Sequence, residues 1–179
     1  MSIIQRDCPI IRGATRGTLL PVLFVSLTLA CAAQKTANET RIYDPSADAA
    51  AALNEALRVA DASGRHVLVQ VGGNWCSWCL KLEKLFAGND TIARILNEHY
   101  VFLRVNYSKE NKNLRVLERL EFPQRFGFPV LVVLDAKGRR LHTQDSGLLE
   151  EGGQHSAEKV RTFLSKWTST SLDPAPYRE

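Results

Sequence analysis

The chain has 179 residues, of which 45% are hydrophobic, with a formal net charge of +4 at pH 7 and four cysteines. So small an excess of positive charge, without a basic cluster, excludes the electrostatic footprint of a nucleic-acid binder. The cysteines are too few for a disulfide scaffold, and the length suits one domain with a proper core.

Arg6, Arg12 and Arg16 make a basic leader ahead of an uncharged run over residues 18–30, which holds Leu19, Leu20, Val22, Leu23, Phe24, Val25, Leu27 and Leu29. That run falls short of the roughly 20 apolar residues of a membrane span. The small residues Ala30-Cys31-Ala32-Ala33 follow, so residues 1–33 read as a signal peptide. Cleavage near Ala32 or Ala33 is one fit. The other resembles bacterial lipoprotein processing after Ala30, which would leave Cys31 as a lipidated N-terminus. Thr28 departs from that pattern, which favours Leu there. An uncleaved anchor is the third reading. Either cleavage implies export to the periplasm or cell envelope, secreted or lipid-anchored, with membrane contact only through the signal or the lipid. Loss of Cys8, Asp7 and the three arginines lowers the net charge to +2 and leaves Cys76 and Cys79 as the free pair. Residues 34–43 are polar and read as a linker.

Asp44-Pro45-Ser46 reads as a helix start, with a capping side chain and a proline near the first turn. Residues 49–62 are rich in alanine and leucine, with Leu53, Ala56, Leu57 and Ala60 on one face, and Gly64 stops the helix. Residues 66–71 are nearly all apolar, as suits a central strand buried on both faces. Leucines recur at helical spacing over residues 80–86. Asn89 caps a further helix to about Asn97, with Ile92, Ile95 and Leu96 inward. Residues 100–105 read as a strand, and residues 111–121 as a helix with Leu114, Leu117 and Leu120 on one side. Strands over 130–135 and 139–144 meet at the turn Asp135-Ala136-Lys137-Gly138. Residues 156–167 form an amphipathic helix, and residues 169–179 are expected as a disordered C-terminal tail. The order α-β-α-α-β-α-β-β-α predicts an α/β fold, a central mixed sheet of about four strands with helices on both faces.

Between the strand at 66–71 and its following helix stands Gly72-Gly73-Asn74-Trp75-Cys76-Ser77-Trp78-Cys79. Two cysteines at this spacing can close a small disulfide ring. If the first lies at the helix N-terminus, unpaired N–H groups and the helix dipole favour its thiolate, the reactive form. An inert internal disulfide and a metal site are the competing readings. None of His66, His99, His142 and His155 stands at zinc-finger spacing from the cysteines. Covalent haem attachment is excluded because Leu80 occupies the position where that motif needs histidine.

Trp75-Cys76-Ser77-Trp78-Cys79 after a buried strand, with Gly127-Phe128-Pro129-Val130 about fifty residues later, resembles the thioredoxin superfamily. The likeness covers residues 44–168. It implies a thioredoxin-like fold and an exported thiol-disulfide oxidoreductase without a cofactor. In that chemistry Cys76 attacks a substrate disulfide and Cys79 resolves the mixed disulfide, after which a membrane or soluble reductant resets the pair. The partners implied are disulfide-containing proteins. Pro129 matches the family's cis-proline, whose loop pairs with an extended substrate strand. Phe128, Trp75 and Trp78 are the further substrate contacts, with Trp78, between the cysteines, expected to be the more exposed tryptophan. Two departures bear on the chemistry. Gln70 stands where many members carry a buried acid, with Arg104 opposite it, so the Cys79 proton must leave by water or another group such as Glu83. Ser77-Trp78 replaces the Gly-Pro of thioredoxin. Similarity to envelope reductases favours reduction, with an oxidant, an isomerase or a binding module without turnover as alternatives.

Overall fold

Seven consecutive buried residues, His66–Gly72, form β1, the strand on which the sheet is built. The structure, a computed structural model, describes residues 41–178; the leader, Cys31 and residues 34–40 of the linker lie outside the described residues. β2, Tyr100–Asn106, runs parallel to β1 on one side. β3, Val130–Leu134, runs antiparallel to it on the other, and β4, Arg140–Asp145, closes that edge. The order β2-β1-β3-β4 makes the mixed four-stranded sheet that the pattern predicts.

Successive strand residues point to opposite faces, so β1 feeds two cores. Val67, Val69 and Val71 pack with Leu53, Ala56 and Ala60 of α1, Ala49–Ser63, and with Val116 and Leu117 of a short helix. Leu68 joins Leu131 and Val133 of β3 on the other face. There they meet Leu82 and Phe86 of α2, Ser77–Gly88, and Ile92 and Leu96 of α3, Asp90–His99. The short helix is α4, Leu114–Arg119, and α5, Ala157–Lys166, adds Val160, Phe163 and Leu164 to the second core. Burial on both sides is why β1 lacks alternation in its sequence.

The first helix begins later than expected. Asp48, not Asp44, is its cap, with Oδ1 accepting from the N–H groups of Ala50 and Ala51 at 3.0 Å each. Asp44 instead closes a local turn by accepting from Ser46 N–H at 2.8 Å. The fourth helix is shorter than residues 111–121 because Asn111 and Asn113 turn their side chains to the backbone. Asn111 Oδ1 accepts from Asn113 N–H at 3.0 Å, and Asn113 Nδ2 donates to Asn106 O at 2.7 Å. A small hairpin appears where no strand was expected: β5, Glu150–Glu151, and β6, Gln154–His155. Gly152 and Gly153 turn it with φ of 58° and 77°, the left-handed pair that a two-residue hairpin loop requires. At the start of the C-terminal tail Ser169 Oγ donates to Gly64 O at 2.7 Å, and Ala175–Tyr177 forms a single exposed 3-10 turn.

Candidate active site

β1 ends at Gly72, and the chain turns through Gly73-Asn74-Trp75 into α2. A Cβ at Gly72 would lie 2.6 Å from Cys79 Sγ and 2.8 Å from Tyr43 Oη, so only glycine lets the strand end pass this close. Cys76 is the N-cap of α2, its sulfur accepting from Cys79 N–H at 3.1 Å. The two cysteines form a disulfide with Cα atoms 5.2 Å apart. Cys79 is fully buried, whereas Cys76 keeps 6% of its surface exposed. The outer sulfur therefore stands at the positive end of the helix and the inner one lies under it.

The Gly127-Phe128-Pro129 loop meets this motif in space. The Phe128–Pro129 peptide is cis, the isomer that the resemblance implies for Pro129. Phe128 stacks on Tyr107 at 4.8 Å between ring centroids and meets Trp75 edge-on at 5.3 Å. Trp75 Nε1 donates to Tyr107 O at 2.6 Å, yet 59% of Trp75 is exposed. Trp78 is half-buried, so the exposures of the two tryptophans run opposite to expectation. The reason is the unforeseen hairpin. His155 meets the Trp78 ring edge-on at 5.3 Å, and its Nε2 bonds Trp78 O at 3.2 Å. Lys81 Nζ sits 4.1 Å above the same ring and donates to Gly153 O at 2.9 Å.

His155 is buried, with Nδ1 unpartnered, and burial pushes its pKa down, helped by Lys81 and opposed by Trp78 O and Glu150. The unfolded chain takes up a proton near pH 6.5 that the folded one refuses. Stability from this group is therefore complete above about pH 6.5 and is lost as pH falls from there through the lower folded pKa, at no more than about 1.4 kcal/mol per pH unit. Chemical denaturation at pH 7.5 and 5.5 should show wild type losing more stability than His155→Gln over that interval. Equal losses would remove His155 as the source.

Behind the cysteines, Gln70 is fully buried and opposite Arg104 in the β1–β2 register. Arg104 turns away from it to grip Glu83 of α2 with two bonds of 2.6 and 2.8 Å. Gln70 Nε2 donates to Tyr43 Oη, and Gln70 Oε1 has no partner. Tyr43 belongs to a stretch read as linker, yet it is buried against Cys76 and Cys79. Asn74 holds it there: its Oδ1 accepts from Ile42 and Tyr43 N–H at 3.1 Å each, and its Nδ2 donates to Tyr43 O at 2.7 Å. The one available signal was an Ile-Tyr pair closing a polar segment.

A family profile described as thioredoxin-like matches residues 48–136, which spans α1 through the turn after β3 and includes both cysteines and Pro129. The chain belongs to the thioredoxin superfamily. Among relatives in that family, the disulfide bond reductase DsbH of Chlamydia pneumoniae is 27% identical over 148 residues, which cover 75% of this chain and 86% of that protein. The thiol:disulfide interchange protein DsbD of Pseudomonas sp. (strain JR1 / K1) is 31% identical over 133 residues, 73% of this chain. Only 20% of DsbD is covered, so this chain spans about a fifth of that relative. A solved structure, the disulphide isomerase from Xylella fastidiosa Temecula1, superposes with a TM-score of 0.65 at 24% identity over 72% of this chain and 97% of its own. At that identity the superposition speaks for the fold alone.

Proposed function

We propose that this thiol-disulfide oxidoreductase is an exported reductase of protein disulfides, with Cys76 as the attacking thiolate and Cys79 as the resolving thiol. The observation that carries the reading is the asymmetry of the pair, with Cys76 at the helix N-terminus and Cys79 fully buried. A thiolate on Cys76 attacks a substrate sulfur, and Cys79 then displaces the substrate by attacking Cys76. Reduction is favoured by how lightly the sulfurs are held. Among the described residues one hydrogen bond reaches Cys76 Sγ, from Cys79 N–H, and the Arg104 guanidinium is engaged by Glu83 instead. A strongly oxidising pair needs its thiolate stabilised far more than one amide provides. The name of the Chlamydia relative points the same way.

Disulfide-bearing polypeptides would lie along the Gly127–Pro129 backbone, against the exposed face of Trp75 and the edge of Phe128, with Trp78 contributing only its open edge. A membrane or soluble reductant outside the chain would restore the dithiol. Export rests on the residues 1–33 leader and on the Dsb names of the relatives. Mass spectrometry of the mature N-terminus separates a lipid-modified Cys31 from a plain Ala33 or Gln34 start.

Direction is read by equilibrating the protein with glutathione. The expected potential is more negative than about −220 mV, on the thioredoxin side of the family range, and a less negative value means an isomerase or oxidant instead. Insulin reduction with dithiothreitol should proceed by turnover. Stoichiometric binding without it would mean a binding module.

A further inference from the structure

Disulfide exchange through Cys76 and Cys79 leaves one buried polar group beside them without a task. A single point at Gly72 lies 2.6 Å from Cys79 Sγ and 2.8 Å from Tyr43 Oη, so the phenol oxygen and the inner sulfur flank the end of β1 together. Tyr43 is 1% exposed, and both cysteines join it in one buried cluster. Gln70 Nε2 donates to the phenol oxygen, which leaves the hydroxyl hydrogen free to point elsewhere. Among the described residues, no acceptor takes that hydrogen. A buried hydroxyl hydrogen is costly to leave unpaired; with Gln70 Nε2 turned to the phenol oxygen, Gln70 Oε1 is itself without a donor, and Cys79 sulfur is the other acceptor packed on Tyr43.

We propose that Tyr43 is a catalytic residue of the resolving step: its hydroxyl, oriented by Gln70, donates a hydrogen bond to Cys79 sulfur as that thiol gives up its proton. The inference rests on the roles given above to Cys76 and Cys79. In the step, the Cys79 S–H bond breaks and Cys79 Sγ attacks Cys76 Sγ. The bond between Cys76 and the substrate sulfur breaks as the Cys76–Cys79 bond forms. The substrate sulfur leaves with the electron pair and, on taking up the proton lost by Cys79, becomes a free thiol. Tyr43 keeps its own proton throughout.

Three charged or titratable groups face this point from the elements packed on it. Tyr43 comes from the strap before α1, Glu83 from α2 and Arg104 from β2, the last two tied in an ion pair. Burial, opposed by the Gln70 amide, holds the Tyr43 hydroxyl far above the ordinary phenol range. It therefore serves as a donor and not as a base at neutral pH. The chain thus has a neutral donor pair, Gln70 and Tyr43, where a titrating acid would otherwise assist Cys79. Asn74 adds geometric control, since its three bonds to residues 42 and 43 fix the strap to the active-site turn itself.

The test follows single-turnover reaction of the reduced full chain with oxidised glutathione, quenched in acid and read by mass spectrometry. Formation of the Cys76–glutathione disulfide in each trace is the reference for its resolution. In Tyr43→Phe, which keeps the ring, resolution should slow about tenfold or more relative to formation, and its pH midpoint should rise by about one unit. A purely structural role would not move that midpoint. Slowing of less than about threefold, or an unmoved midpoint, overturns the proposal. Should Tyr43→Phe fail to fold, Asn74→Ala releases the strap while keeping the hydroxyl on the chain, and the same two criteria apply. If wild type forms no mixed disulfide at all, the roles of the cysteines fall along with it.

Discussion

Replacing Cys76 by serine should abolish disulfide exchange, while Cys79→Ser should leave a protein that attacks substrates but cannot release them. The asymmetry follows from where one turn of helix puts the two sulfurs. Cys76 caps α2 and receives Cys79 N–H, so charge on its sulfur is met by an otherwise unpaired donor and by the helix dipole. Cys79 is one turn deeper, fully buried among Tyr43 and the end of β1, where desolvation opposes charge on its sulfur. Reduced protein treated with iodoacetamide at pH 7 should label Cys76 at least about tenfold faster. Cys79→Ser should accumulate mixed disulfides visible on non-reducing gels, and Cys76→Ser almost none. Equal labelling, or equal trapping, would reverse the assignment.

The largest stability loss at a single polar side chain is expected from Arg104→Met. Glu83 has 8% of its side chain exposed, and Arg104 is its one ion-pair partner among the described residues. Removing the guanidinium leaves a carboxylate dehydrated and unpaired, which costs about 3–5 kcal/mol for a fully buried pair. Arg104 is 41% exposed, so water reaches part of the site and about 2–3 kcal/mol is the expected loss. The double variant Arg104→Met, Glu83→Leu should regain most of it, because no buried charge is then left behind. Urea denaturation of the four proteins gives the cycle. A single-variant loss below about 1 kcal/mol, the range of surface pairs, would mean that Glu83 is hydrated.

Some features were legible because they depend on neighbours in sequence. The buried residues of β1 announce themselves as a nearly continuous apolar run, broken by Gln70, and Gly64 and Asn89 end and begin helices as their chemistry dictates. The Cys76–Cys79 spacing suffices for a disulfide, and a Cys at a strand-to-helix junction suffices to place one sulfur on the helix end. Even so, two aspartates four residues apart could each have capped α1. Asp48 does so because it directly precedes the alanine run, while Asp44 spends its carboxylate on Ser46.

Sequence by itself thus determined the order of the main strands and helices and the Cys76–Cys79 pair, written in short-range periodicity and spacing, while the part played by the proline loop came from the resemblance to the family and the β5–β6 hairpin went unread. Tertiary structure alone decided which groups attend the sulfurs. Tyr43 meets Asn74 across 31 residues, Glu83 meets Arg104 across 21, and His155 reaches Trp78 across 77. Such contacts carry no local pattern, because each partner would be equally at home in water until folding removes it. What selects them is the cost of leaving a polar group unpaired once it is enclosed with the cysteines, and that cost exists only once α2, β1 and the strap have closed around them.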